Sequence, residues 1–184
     1  MLRDFMFKGY IYFAFSKYSK DSRRLTSLRL SPRNRIFSAV EWHDWERDYL
    51  PPGGLSGRTF LDVGAGEGET IEFASQHGGT KFIAIESNPR RVKKLRENAR
   101  LNGWDVEIVQ EGFKLDHLRR FNYDFVKIDV EGAEECLLSL ADLPKPLVME
   151  IHGRELMGRF RQKFPKLRMR KLRWFSQLWI AKYP

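Results

Sequence analysis

The chain has one cysteine, Cys136, so no disulfide can form within it. Its place in a Leu-rich helical pattern marks it as a small buried hydrophobe rather than a nucleophile. Four Gln and five Asn are few beside 33 Lys and Arg, a balance met in heat-adapted intracellular proteins. Long apolar runs are missing too. The aromatic run from Tyr10 to Phe15 falls well short of the roughly 20 residues a membrane span requires, and no small-residue cleavage site follows it. A cytoplasmic protein is expected, with peripheral membrane contact left open. Acid is scarce at one end only: positions 154 to 184 hold ten Lys and Arg against one acid, whereas 51 to 153 hold thirteen against seventeen. The net charge of +9 therefore sits mainly in the tail, which should attract anions.

What is present is a globular composition, 42% hydrophobic and 31% charged over 184 residues, enough for one well-packed domain with extensions. Pro51-Pro52-Gly53-Gly54 is the clearest break, separating an N-terminal helical extension over 1–50 from a domain over 51–184. Within the extension, Ile36, Val40 and Trp42 to Trp45 suggest a helix that packs on the core or roofs the site as a lid, and Arg23, Arg24, Arg29, Arg33 and Arg35 mark a polar stretch. After the break, strands and helices alternate. Strands are expected over 60–63, 81–85, 106–109, 125–129 and 147–151, with helices over 69–76, 89–101, 133–140 and 155–164. Pro89 suits a first helical turn capped by Ser87 or Asn88, and Asn102-Gly103 supplies its stop. Two final strands, 167–173 and 177–182, have no helix between them. The pattern describes an α/β, doubly wound, mostly parallel seven-stranded Rossmann-like sheet closed by a C-terminal antiparallel hairpin.

The chemistry gathers at strand ends. Asp62-Val63-Gly64-Ala65-Gly66-Glu67-Gly68 is a Gly-rich turn directly after a strand and before a helix, where glycines admit a ligand to the backbone and the helix offers unpaired N–H groups. The next strand ends in Glu86, placed to accept both ribose hydroxyl protons. Glu111 follows the third strand, where an acceptor meets an adenine amino group. The turn lacks the third glycine at the spacing a dinucleotide pyrophosphate needs. Acids at 62, 67 and 86 suit a cationic sulfonium and amino group better, which makes S-adenosylmethionine the expected cofactor, held by Asp62, Gly64, Ala65, Gly66, Glu67, Glu86 and Glu111.

The strings Phe60-Leu-Asp-Val-Gly-Ala-Gly-Glu-Gly, Ala84-Ile-Glu-Ser-Asn-Pro, Phe125-Val-Lys-Ile-Asp-Val-Glu-Gly-Ala-Glu134 and Val148-Met-Glu-Ile-His152, with Asn98 and Leu101-Asn102, resemble the FkbM-type S-adenosylmethionine-dependent methyltransferases over about 58–153. The Lys-Ile-Asp-Val-Glu-Gly-Ala-Glu string is the most specific part. The resemblance implies methylation of hydroxyl oxygens on sugars, glycolipids or other small metabolites.

Strand alternation puts Phe125, Lys127 and Asp129 on one face and Val148, Glu150 and His152 on the same face of the next strand. A lysine inside a parallel strand is costly unless paired, so Glu150 or another acid is expected beside Lys127. Asp129, Glu131 and His152 are the candidate catalytic residues, with His152 as base and Asp129 positioning the hydroxyl or relaying its proton. Asp129, Glu131, Glu150 and His152 could instead hold a divalent cation, although their spacing matches no dedicated metal motif, and no metal is assigned. Two other functions compete. Arg159, Arg161, Lys163, Lys166, Arg168, Arg170, Lys171 and Arg173, interleaved with Phe160, Phe164 and Trp174, fit an RNA methyltransferase or an anionic surface contact. The Asn/Asp-Pro-Pro-Tyr signature of exocyclic-amine enzymes is absent. The third is a non-catalytic cofactor-binding module.

Overall fold

The structure is a computed structural model and describes residues 27–30, 38, 41–42, 44–144, 146–171 and 178–183. The sheet has seven short strands: β1 (Thr59–Val63), β2 (Lys81–Ile85), β3 (Asp105–Val109), β4 (Phe125–Ile128), β5 (Leu147–His152), β6 (Arg168–Lys171) and β7 (Leu178–Tyr183); all but β6, an Arg-Met-Arg-Lys edge, carry the β-branched and aromatic residues that a pleated, half-buried surface favours. They form one sheet in the order β3-β2-β1-β4-β5-β7-β6. The first five are parallel, and β7 runs antiparallel to both β5 and β6. Because β1 pairs with β2 on one side and β4 on the other, the order reverses there. This leaves a crevice beyond the carboxyl ends of β1 and β4.

Helices α1 (Glu69–Gln76), α2 (Pro89–Asn102), α3 (His117–Arg120) and α4 (Arg154–Lys163) connect the strands. Asn88 caps α2, its side chain accepting from the N–H groups of Arg90 and Arg91, and Gly103 ends it in the left-handed conformation. The segment expected as a helix over 133–140 is a 3-10 helix, Ala133–Ser139, which places Cys136 at an intermediate depth. Helix α3 was not anticipated from the pattern; four residues are too few to display a helical repeat.

Two apolar layers cover the sheet. One holds Leu61, Val63, Ile83, Ile85, Val126, Ile128, Met149 and Ile151 against Leu137, Phe160 and Phe164. The other holds Phe60 stacked on Phe125 at 5.5 Å, with Phe82, Ala84 and Val148, beneath Trp42, Trp45 and Phe73. Residues 41–42 and 44–48 are helical, and Trp42 meets Phe73 edge-on at 5.3 Å. The described part of the N-terminal extension is thus built into the core, while Ser38, Glu41 and Trp45 also wall a cavity above the site. Of the basic residues there, Arg29 pairs with Glu97. Ile36, Val40, Arg23, Arg24, Arg33 and Arg35 lie outside the described residues, as do Arg173 and Trp174.

Candidate active site

Gly64 follows β1 with φ 80°, and a Cβ there would lie 1.9 Å from the Asp129 carbonyl oxygen. At this position glycine is required by the close approach of β1 and β4. Gly68, with φ 103°, is equally confined, between Leu95 and Trp104. The turn's own N–H groups, ahead of the helix, are engaged within the protein. Gly66 donates to Glu86 Oε2 at 3.0 Å, Glu67 to Glu69 Oε2 at 2.7 Å, and Gly68 to the Ala65 carbonyl at 3.0 Å. A phosphate would have to displace two carboxylates to reach these amides, whereas a nucleoside with a cationic arm would not.

Two adjoining cavities open at the crevice. One of 280 Å³ is lined by Glu86, Ser87, Glu111, Gly112 and Phe113; the other, of 470 Å³, by Glu41, Trp45, Ala65, Gly66, Glu69 and Lys127. Gly64, Arg91, Asp129 and Glu131 line both. Of the residues expected to hold a cofactor, Gly64, Ala65, Gly66, Glu86 and Glu111 therefore border the space, but Asp62 and Glu67 do not. Asp62 is fully buried, accepting the Thr70 hydroxyl proton and facing Lys127 Nζ at 3.0 Å. Glu67 faces Lys94 at 3.6 Å, and its carbonyl accepts from Asn98 at 2.8 Å. Both acids brace the turn from behind.

Lys127 is buried at the centre of the sheet beside an acid, as expected, and of the acids open to it the partner is Asp62 rather than Glu150. Register explains this: Asp62 sits directly opposite Lys127 across the β1–β4 pair, whereas Lys127 aligns with Val148 across β4–β5. Nζ also donates to the Gly64 carbonyl at 2.9 Å and stands 3.8 Å from Asp129. Burial disfavours its charge, but Asp62 and Asp129 outweigh that and hold its pKa above the ordinary lysine value. Glu150 instead accepts the buried Tyr49 hydroxyl proton. Burial and the charge of Asp129 push its pKa up to about 7, against the opposing pull of Tyr49, Lys127 and His152.

His152 closes β5 with Nε2 at 3.7 Å from Asp129 Oδ1. The sequence reading gave Glu134 no role, yet it organises this corner. Its Oε1 accepts the His152 backbone N–H at 2.8 Å and lies 3.1 Å from His152 Nδ1. Its Oε2 accepts the Gly132 N–H at 2.6 Å, fixing the turn after β4. Burial would lower the His152 pKa, but the Glu134 hydrogen bond and the charges of Asp129, Glu134 and Glu150 raise it. With Nδ1 turned to Glu134, Nε2 is the nitrogen left facing Asp129. Glu131 borders both cavities with φ 47°, the one positive-φ non-glycine among the described residues, held there by the braced turn. Asp129, Glu150 and His152 each present an atom within 4.8 Å of the others, as ligands of a divalent cation would, and Glu131 falls outside that group. Tyr49 and Glu134 carry no signal in the sequence, because their partners Glu150 and His152 lie 101 and 18 positions away and no local pattern links them.

No family profile matches the chain, and no curated protein sequence does. Solved structures do. Precorrin-6y C5,15-methyltransferase of Geobacter metallireducens superposes with a TM-score of 0.55 at 16% identity, over 78% of this chain and 86% of that one. Aeropyrum pernix fibrillarin with natively bound S-adenosyl-L-methionine gives 0.55 at 17% identity, over 70% and 67%. The T. thermophilus 16S rRNA N2 methyltransferase RsmC, in complex with S-adenosylmethionine and guanosine, gives 0.59 at 16% identity over 85% of this chain, which spans 44% of that larger protein. Among the described residues no helix is long and apolar enough to cross a membrane. The chain thus has the Rossmann-like, seven-stranded fold that these methyltransferases share.

Proposed function

We propose that the protein is an S-adenosylmethionine-dependent O-methyltransferase of FkbM type, acting on a hydroxyl of a sugar, glycolipid or other small metabolite. The observation that carries this reading is Asp129, which borders both cavities beside Gly64 at the switch-point crevice, with His152 Nε2, itself outside both linings, 3.7 Å from its Oδ1. Fold alone would not support it, since one fold hosts many activities. The donor set fits the cofactor: Glu86 and Glu111 would hold the adenosine hydroxyls and amine, and Gly64, Ala65 and Gly66 form the wall beside them. When bound, S-adenosylmethionine supplies an electrophilic methyl carbon on a sulfonium.

This chain's own task is to orient an alcohol and remove its proton. Asp129, which borders both cavities, holds the acceptor hydroxyl; His152 Nε2 takes up the proton, and Glu134 on Nδ1 stabilises the resulting imidazolium. Glu131 and Trp45 shape the acceptor side. Because the His152 pKa is raised, the rate should climb with pH along a limb lying above 6.5. Transfer should survive chelators if the proton goes to His152. Transfer abolished by EDTA and restored by Mg²⁺ would replace that assignment with a cation on Asp129, Glu150 and His152.

The test is labelled methyl transfer to glycan, lipid and nucleic-acid extracts at low and high salt. Label is expected in the glycan or lipid fraction, and Asp129→Asn and His152→Ala should abolish it while S-adenosylhomocysteine still binds. Bound cofactor with no labelled product would leave the non-catalytic reading.

A second reading, methylation of an RNA ribose oxygen, is favoured by exposed Arg161 on α4, Lys166 in the turn after it and Arg168 on β6. Others of the basic run are engaged within the protein. Arg159 pairs with Glu135, Lys163 donates to the Leu138 carbonyl, Arg170 meets Asp44 and Asp48, and Lys171 lies over Trp179.

A further inference from the structure

His117 takes no part in the proton chemistry, yet it is a buried side chain held against Glu111, which lines the smaller cavity. It is 1% exposed, with its ring between Phe113 and Phe121 at 6.3 and 6.2 Å. Its Nδ1 accepts the Lys114 backbone N–H at 3.2 Å, so the ring proton is on Nε2, which faces Glu111 Oε2 at 3.4 Å. A proton on Nδ1 would meet that N–H head-on, and the tautomer is thereby fixed. Glu111 has two other basic partners, Lys114 Nζ at 3.0 Å and Arg120 Nη1 at 3.8 Å, but both belong to exposed, flexible side chains. Only His117 is a rigid donor. Glu111 borders the same cavity as Glu86, Gly112 and Phe113.

We propose that His117 is a positioning residue that orients Glu111 as an adenine-selecting acceptor in the cofactor cleft. The proposal rests on reading that cleft as an S-adenosylmethionine site. An ionised carboxylate only accepts hydrogen bonds; it welcomes the exocyclic amine of adenine and repels the keto oxygen at the same position of hypoxanthine. The Lys114 hydrogen bond, followed by that of His117, keeps the Glu111 pKa below the usual carboxylate value, so it stays an acceptor. Rigid support makes the selection sharp, because a carboxylate free to swing could turn away from the keto group.

Calorimetric binding of S-adenosylhomocysteine and S-inosylhomocysteine tests this without any acceptor. The wild-type protein should prefer the adenine ligand on the order of tenfold. His117→Gln keeps a donor near the Nε2 position and should retain the preference. His117→Asn keeps only an acceptor for the Lys114 N–H, and its preference should fall to about threefold or less. Glu111→Gln, at a half-exposed side chain, should lose the preference by turning an amide N–H toward the keto oxygen. Circular dichroism checks each fold; should His117→Asn not fold, His117→Gln without the preference would overturn the proposal. Equal affinity of the wild-type protein for the two ligands would overturn it, as would a folded His117→Asn with full preference. Binding of neither ligand to the wild-type protein would bring down the cofactor reading and this proposal with it.

Discussion

A buried charge is tolerated only while its partner stays, and Lys127 with Asp62 is the case that governs this site. Lys127→Met leaves Asp62 fully buried with only the Thr70 hydroxyl to satisfy it, and should cost about 3 to 5 kcal/mol in urea unfolding. Adding Asp62→Asn to it should restore most of the loss, since the neutral pair leaves no stranded charge; a double variant as unstable as the single one would refute the pairing. Glu150 titrates the other way. Its pKa, raised from 4.5 to about 7 chiefly by burial, means that the folded state holds a proton the unfolded chain has released. Its contribution is complete below 4.5 and is lost as pH rises through about 7. Glu150→Gln should therefore gain stability relative to wild type on going from pH 5 to pH 8, by about 2 kcal/mol. Urea midpoints at the two pH values measure it. At this scale, period-two alternation revealed Asp129 and His152, because it needs only neighbouring residues. It could call for an acid beside Lys127 but not choose which, because the register between strands is set by the whole sheet.

Among the elements, the Gly-rich turn separates what a motif says from why it is there. Both Gly64 and Gly132 have positive φ, but only Gly64 has a neighbour in the way: its Cβ would lie 1.9 Å from the backbone oxygen of Asp129, just past β4, while nothing lies within 4 Å of one on Gly132. Gly64→Ala must push β1 and β4 apart and should destabilise the protein by more than about 4 kcal/mol, whereas Gly132→Ala carries conformational strain alone, about 1 to 2 kcal/mol. Thermal unfolding of the two proteins side by side decides it, and equal losses would mean that the strands give way more easily than their packing implies. The strand-turn-helix pattern was readable because turn, strand and capping signals are local. The helix after Gly132 was readable as well, but its 3-10 winding was not. Glu134 spends both carboxylate oxygens on the turn and on β5, and such distant hydrogen bonds leave no periodicity in the sequence.

For the molecule as a whole, the tail's charge poses the remaining choice between acceptors. The sequence displays ten cations after position 153, and folding removes several from play through Glu135, Asp44, Asp48 and the Leu138 carbonyl. Among the described residues the exposed set on α4, the turn after it and β6 is small, and counterion release makes its worth countable: each phosphate contact with a single strand contributes about 0.7 to the slope of log affinity against log salt. Replacing Arg161, Lys166 and Arg168 together by Gln should lower the slope for a single-stranded RNA by about 2, with S-adenosylhomocysteine affinity unchanged because none of the three borders the cavities. If the acceptor is a small hydroxylated metabolite, the same triple variant should transfer methyl groups at the wild-type rate and independently of salt. If the acceptor is RNA, the loss should appear in KM and grow as salt is raised, while kcat with saturating substrate stays near its original value. One variant, read against salt in both assays, thus separates a surface that merely attracts anions from one that delivers a substrate to Asp129 and His152.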